Sequence, residues 1–462
     1  MRKIISFVLI LGCLMSLVGC GDTSSDVQIL SDKVASEDYL SMVKPIANDL
    51  YNTSNHRIKF SAVGSAADNA RTEYVYEKFN EIGLKNVNKV PIMLNSWDYT
   101  EVSMVSNCNC GDNSDVTMRI IGAYPRSFNY ENTEYMLHRV VDKLDITREN
   151  IENFAILVPS VATVSELEEY VNAVAAYNPT LILCSTIHTN ISNVYEVNTD
   201  LFTDIDCPIF VLPNSSYGKL VRYFNNTEDN SLKITLNGRS NISEELVESN
   251  FVVGEIEGKN KNKVVYVTAH QDAIHSGYMG SCVSVAELIT MADKLIKEGF
   301  VPDYTIRFMV TTGQEWGKVG QGQNVGIQTY LDGLSEKEID SIQSVLVLDG
   351  GYPFIDTVFL ETKVSNTKIL DKVKSYNSDY FAKNDSRFIN EIVVIDDDIK
   401  YVTEAIAWNN KGIDTVLSSE PNNSRFIYNN TSLDNHNLEI DETLLKHQID
   451  YYTGLLKIMT NN

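Results

Sequence analysis

Basic residues are scarce in this chain: 38 Lys and Arg stand against 62 Asp and Glu, for a net charge of -24. A surface that acidic repels phosphate backbones, which excludes nucleic acid as a partner. Long apolar runs are equally scarce. The one that stands out, Ile4 to Leu17, is about 14 residues long and short for a bilayer-crossing helix, and no later segment could span a membrane. Paired cysteine motifs are missing as well. Cys108-Asn109-Cys110 has too little chain for a zinc knuckle and no matching CxxC or His pair, so it reads as a loop open to disulfide chemistry. Internal repeats are absent.

What is present begins with Arg2 and Lys3 ahead of that apolar run and Leu17-Val18-Gly19-Cys20 behind it. A basic start, a short apolar stretch and small residues before a Cys make residues 1–19 a signal peptide, and the last four residues resemble a lipobox. The mature chain is then expected to start at a lipidated Cys20 and to sit outside the cytoplasm, anchored to the membrane by its lipid. The alternative is an ordinary cysteine behind a cleavable signal. Residues 20–35, rich in Ser and Asp, suit a tether. Of the seven cysteines, Cys13 leaves with the signal and Cys20 carries lipid; the odd number remaining leaves at least one thiol unpaired. With 43% hydrophobic and 22% charged residues the composition is that of a globular protein of two or three domains.

Helical periodicity begins at Leu40, Val43, Ile46, Ala47 and Leu50, and a second helix is expected over 68–82, with Val75, Phe79 and Ile82 on one face and Gly83 at its end. Short strands follow over 87–105. Residues 118–243 read as a separate unit. Its strand Phe154–Val158, helix Ser165–Tyr177 and strand Leu181–Cys184 are followed by a strand at Pro208–Val211, a short helix from Tyr217 and a closing strand Leu232–Leu236. From 251 on, near-continuous apolar strands (Val264–Val267, Ile306–Val310, Val345–Leu348) alternate with helices, the pattern of a buried, largely parallel sheet flanked by helices in an α/β fold. Ligands bind such sheets at the carboxyl ends of the strands.

Polar groups stand at those ends: Ala269-His270-Gln271-Asp272, then Gly313-Gln314-Glu315-Trp316-Gly317, then Leu348-Asp349-Gly350-Gly351. Together with Trp408–Ile413 and Asn430-Thr431-Ser432-Leu433-Asp434, they make the chain resemble the family-28 metallopeptidases, which include bacterial leucine aminopeptidases, aminopeptidase Y and glutamate carboxypeptidase. The resemblance implies the zinc aminopeptidase fold, and it implies that the unit at 118–243 is an inserted protease-associated domain, with 36–117 and 244–462 as the two parts of the peptidase-like domain. Members hold two zinc ions bridged by an Asp and a water, and a Glu takes the water's proton. Two cations lower the pKa of that water and polarise the scissile carbonyl.

Carried over by position, the resemblance makes His270 a metal ligand, Asp272 the residue that orients it, and Glu315 and Asp349 further metal ligands. The bridging Asp belongs between Gly277 and Ser284, where this chain has Gly280 and no carboxylate. The general base falls on Gln314, whose amide cannot take a proton at neutral pH, and the last His ligand falls on Asn430, a poor zinc ligand. Zinc is therefore expected to bind weakly or not at all: one ion of adjusted position fits the pattern, a bridged pair does not. His275 and His436 are the nearby candidates for a replacement ligand. Glu287 is expected to face solvent or cap a neighbour, and Trp316 and Tyr278 either line the pocket or belong to the core.

Three readings follow from the sequence. One is a catalytically impaired pseudopeptidase that binds peptide or another protein partner; another is a metal-dependent aminopeptidase with a single or rearranged metal site. The third is a structural lipoprotein with a vestigial pocket.

Overall fold

The strands that read as continuous apolar runs are buried on both faces, and the molecule is built around them. The computed structural model describes residues 41–56, 58–107, 116–120, 122–185, 197–227, 231–349, 359–384, 389–395, 403–419 and 433–461. Cys20, Cys108, Cys110 and Asn430 lie outside the described residues.

The main sheet has eight strands in the spatial order Lys85–Leu94, Val247–Ile256, Tyr304–Thr311, Asn260–His270, Ile342–Leu348, Thr415–Ser419, Phe359–Ser365, Ile389–Ile395. Its centre is parallel: the His270 strand pairs in parallel with Tyr304–Thr311 on one side and Ile342–Leu348 on the other, and Thr415–Ser419 continues the run. The edges mix directions, with antiparallel pairs at Lys85–Leu94 with Val247–Ile256 and at Phe359–Ser365 with Thr415–Ser419. Parallel neighbours need crossover connections, which the helices supply. The sheet is thus mixed and largely parallel, flanked by helices.

One face carries Val265, Val267, Phe308, Leu346 and Val416, all fully buried. Against it pack the helices 41–52, Ala66–Glu81, Ser284–Lys297, Lys368–Lys383 and Glu442–Met459. Each such side chain removed from water is worth about 1.5–3 kcal/mol, which is why the alternation of strand and helix in the sequence is decisive here. The helix Ser284–Lys297 is buried on almost every side, since it lies between the sheet and the carboxy-terminal helix. Glu287, expected at a solvent face or a cap, is only 4% exposed, and burial holds its carboxyl well above the usual range. The expectation fails because two layers cover this helix where an ordinary surface helix has one.

A second sheet takes the order Val116–Ile120, Val102–Asn107, Ser231–Ile242, Phe128–Arg139, Ala155–Leu157, Leu181–Ser185, Ile209–Leu212, Gly122–Ala123, with Trp97–Tyr99 paired to Ser231–Ile242. The strands Trp97–Tyr99 and Val102–Asn107, ahead of residue 118, therefore pair into it. The helix Val164–Ala175 covers one face with Leu167, Val171 and Val174, and Asn214–Phe224 covers the other with Leu220 and Phe224. One apolar cluster runs from this second face through Trp97, Tyr99 and Phe60 into the main sheet at Phe251, Met309 and Val345. Among the described residues no helix is long and apolar enough to cross a membrane.

Candidate functional site

The three central parallel strands end side by side, so the polar residues that follow them meet. His270 closes its strand, Gln314 and Glu315 follow Tyr304–Thr311, and Asp349 follows Ile342–Leu348. All five polar side chains of the cluster (His270, Asp272, Gln314, Glu315, Asp349) are buried.

Asp272 organises the cluster through backbone amides. The Gln314 N–H donates to its Oδ1 at 3.3 Å and the Glu315 N–H to its Oδ2 at 2.9 Å. Its Oδ1 also stands 3.5 Å from His270 Nδ1. On the far side of the imidazole, Nε2 is 3.9 Å from Asp349 Oδ1. The other oxygen of Asp349 accepts from Gln314 Nε2 at 3.1 Å. Glu315 Oε2 accepts from Gln323 Nε2 at 3.3 Å. Hence His270, Asp272, Gln314, Glu315 and Asp349, each singled out from the sequence, form one connected group.

Burial alone would favour neutral His270, but the hydrogen bond to Asp272 and the charges of Asp349, Asp272 and Glu315 outweigh it and push the imidazole up to about 10. It is a cation set among carboxylates. Two nearby acids escape sequence reading. Asp68, at the start of the helix Ala66–Glu81, accepts from the Gly64 N–H at 2.9 Å, Gln271 Nε2 at 2.9 Å and Thr312 Oγ1 at 2.8 Å. Burial, reinforced by the charge of Asp272, raises its carboxyl to about 7. Glu404 accepts from the Thr311 hydroxyl, and burial raises it to about 7 against the pull of Thr311 and His270. Neither belongs to an apolar period, and only the motif neighbour Gln271 hinted at a partner for Asp68.

The stretch expected to carry a bridging carboxylate is a π-helical turn, Tyr278–Val283, entered through Gly277 at φ 58°. In place of a side-chain ligand it offers backbone amides: Met279 and Gly280 donate to Asp434 at 2.6 and 3.0 Å. Burial lifts Asp434 to about 6, while these amides and His270 draw it down. The turn's own residues, Gly280 included, bring no carboxylate.

The remaining candidates separate from the cluster. His275 is buried, and burial pushes it down to about 3, so it is neutral. His436 is exposed and lies against the Tyr51 ring at 5.2 Å. Trp316 packs edge-on against Trp97 at 5.6 Å, and Tyr278 against Tyr51 at 5.5 Å, both as core residues. A pocket of about 270 Å³ is lined by Gln321, Gln323, Asn324, Val325, Gln328 and Ala407, and it is joined to the cluster through Gln323, whose amide donates to Glu315.

A pair of zinc ions bridged by a carboxylate does not fit these residues. The π turn supplies no carboxylate, and Gln314, whose amide N–H donates to Asp349, supplies none either. Among the described residues no group of three or more His, Cys, Asp or Glu side chains is arranged to hold a metal ion.

A mixed sheet with helices on its faces and a charged cluster at its parallel strand ends defines the α/β class to which zinc aminopeptidases belong. Residues 251–453 match the profile of Peptidase family M28, so the chain carries a domain of that family. In fold, the chain is similar to a Peptidase M28 precursor from Shewanella amazonensis SB2B, at 15% identity over 95% of this chain and 98% of that one, with a TM-score of 0.69. It is similar also to BSAP, a zinc aminopeptidase from Bacillus subtilis, at 15% identity over 91% of this chain and 94% of that one, TM-score 0.66. An aminopeptidase from Aneurinibacillus sp. strain AM-1 gives 15% identity, 91% and 95% coverage and a TM-score of 0.59. No curated protein matches the chain by sequence.

Proposed function

We propose that this protein is a pseudopeptidase: it keeps the fold and strand-end cluster of a zinc aminopeptidase and uses the cleft region to bind peptide or a protein partner instead of cleaving it. The observation that carries this reading is the contact of Gln314 Nε2 with Asp349 Oδ2 at 3.1 Å. At the position of the proton acceptor stands an amide, and its N–H end donates to a carboxylate. An amide in that place binds and orients but takes no proton. The pocket joined to Glu315 through Gln323, lined by neutral amides, suits the hydrogen-bonding edge of a peptide.

The test is restoration. Gly280→Asp, Gln314→Glu and Asn430→His together should raise zinc binding at least about tenfold, while Gln314→Glu alone creates no hydrolysis of aminoacyl anilides, since a lost base costs about 10² to 10⁴ in rate and the bridge would still be missing. Peptides that raise the thermal midpoint of the unmodified protein would separate a binder from a vestigial pocket. A peptide library without any such shift sinks the binding part of the reading.

The approach of His270 Nε2 to Asp349 Oδ1 supports a second reading, an aminopeptidase working with a single ion between these two donors. Metal-dependent turnover by the unmodified protein decides for it. The chain's place in the cell belongs to the same proposal: Cys20 carries lipid and holds the protein at the outer side of a membrane. Cys20→Ala should then release it from the membrane fraction, and unchanged association contradicts the anchor.

A further inference from the structure

The loop between Thr311 and the helix Val325–Gly333 carries both Gln314 and Glu315, and it is closed on itself. Gly313, at φ 76°, accepts from the Gly326 N–H at 2.9 Å, and the Gln314 carbonyl accepts from the Asn324 N–H at 2.7 Å. A closed neck fixes the two ends of a loop and leaves its apex to be held from outside. Two segments hold it. Asn95 donates its N–H to the Gly317 carbonyl at 2.9 Å and accepts the Val319 N–H on Oδ1 at 3.1 Å.

The other segment comes from the second sheet's unit. Thr199, 2% exposed, donates its hydroxyl to the Glu315 carbonyl. Asp200 Oδ1 accepts the Gln323 N–H at 2.7 Å, and Gln323 in turn donates its side-chain amide to the Glu315 carboxylate. The fit at this contact is close: a Cβ on Gly322 would come within 1.9 Å of Asp200 Oδ1. The segment is itself fastened to its own sheet. Arg126 donates to the carbonyls of Phe202 and Thr203 at 2.8 Å each and also to that of Ile205, and the Phe202 ring packs on Tyr124 at 4.9 Å.

We infer that Thr199 and Asp200 are positioning residues for the strand-end cluster: through them the second sheet's unit fixes Glu315 from its backbone and, by way of Gln323, from its carboxylate. The inference goes beyond the proposed function and holds whichever ligand the cluster takes. Its consequence is coupling. Anything that draws residues 197–205 away from the main sheet's loop removes one hydrogen bond to Glu315 and one to Gln323, which itself holds the Glu315 carboxylate, so occupancy of one unit alters the geometry of the site on the other.

Residue-resolved hydrogen exchange tests this on the full chain. Thr199→Val with Asp200→Ala should speed exchange across 314–323 by about tenfold, the equivalent of one to two net hydrogen bonds. Asp200→Ala alone, at an exposed side chain that folding does not need, should speed the Gln323 amide by about threefold and shift the side-chain amide resonances of Gln323. The conservative pair Thr199→Ser and Asp200→Asn, which keeps a donor and an acceptor, should restore protection. Amides of Asn260–His270 and Ser231–Ile242 should not change. Unaltered exchange in 314–323, or acceleration spread evenly over the chain, overturns the inference.

Discussion

Both units of the molecule end their parallel strands in polar groups, and they do so with opposite chemistry. In the second sheet, the strands Ala155–Leu157, Leu181–Ser185 and Ile209–Leu212 run in parallel, and hydroxyls gather past their carboxyl ends: Ser185 closes its strand, Ser160 follows Leu157 by three residues, and Tyr217 comes from the helix after Leu212. Ser185 donates to Ser160 Oγ at 3.0 Å, the Ser160 N–H donates to the Tyr217 hydroxyl at 2.9 Å, and that hydroxyl donates to the Val158 carbonyl at 3.2 Å. In the main sheet the equivalent ends hold one imidazolium and a crowd of buried carboxyls. Hydroxyls satisfy a strand end cheaply because they carry no charge to desolvate, whereas each buried carboxylate penalises folding unless a cation or several donors answer it. The chain tolerates that cost in one unit and not in the other. Charged strand ends therefore mark the site more sharply than the fold does, since both sheets share the strand, helix, strand plan.

The comparison breaks most visibly if single side chains in the two polar clusters weigh the same. Asp68→Ala strands the Gly64 N–H, Gln271 Nε2 and Thr312 Oγ1 and should cost about 3 kcal/mol, read by urea unfolding, against about 1 kcal/mol for Ser185→Ala. Equal costs would mean that the charged cluster holds the fold no more tightly than the hydroxyl chain.

A pH series sharpens the contrast. Asp68 and Glu404, raised to about 7 in the folded protein from ordinary values of 3.8 and 4.5, add no penalty below about pH 4 and progressively destabilise the fold as pH climbs towards 7. His270, raised to about 10 from 6.5, stabilises fully below 6.5 and loses that contribution as pH rises towards 10. Both act in one direction, so stability should fall by several kcal/mol between pH 5 and pH 9. Asp68→Asn, which keeps the shape and removes the proton, should flatten the lower half of that slope. A stability curve level over this range contradicts the placement of these acids.

A smaller effect is expected at Gln314. Replacing it with Glu sets a second carboxylate against Asp349 and should cost about 1–2 kcal/mol at pH 8 and less at pH 5, measured by thermal unfolding without added metal. A stabilised variant would mean that a cation already occupies the gap.

The fold and the clustering of His270, Asp272, Glu315 and Asp349 were legible in the sequence because they rest on short-range regularities. Apolar runs located the strands of the main sheet, and His270, Asp272, Glu315 and Asp349 each follow such a run directly. What stayed hidden depends on layers and long-range contacts. Glu287 sits on a helix whose sequence looks amphipathic, but a second helix covers its other side. Asp68 and Glu404 are acids whose burial is decided by strands about 200 and 90 residues away, at Gln271 and Thr311. Trp316 follows Glu315 directly, yet its partner Trp97 lies in a distant strand, so its place in the core could not be told from a place in the pocket.

The account turns on whether the Gln314 amide and the missing carboxylate at Gly280 have closed this cluster to a bridged metal pair. The most direct test is to load the unmodified full chain with excess zinc, desalt it, and measure metal per chain together with hydrolysis of aminoacyl anilides. The account predicts less than one zinc per chain and no chelator-sensitive turnover above background. Two tightly held zinc ions with turnover that a chelator abolishes would contradict it.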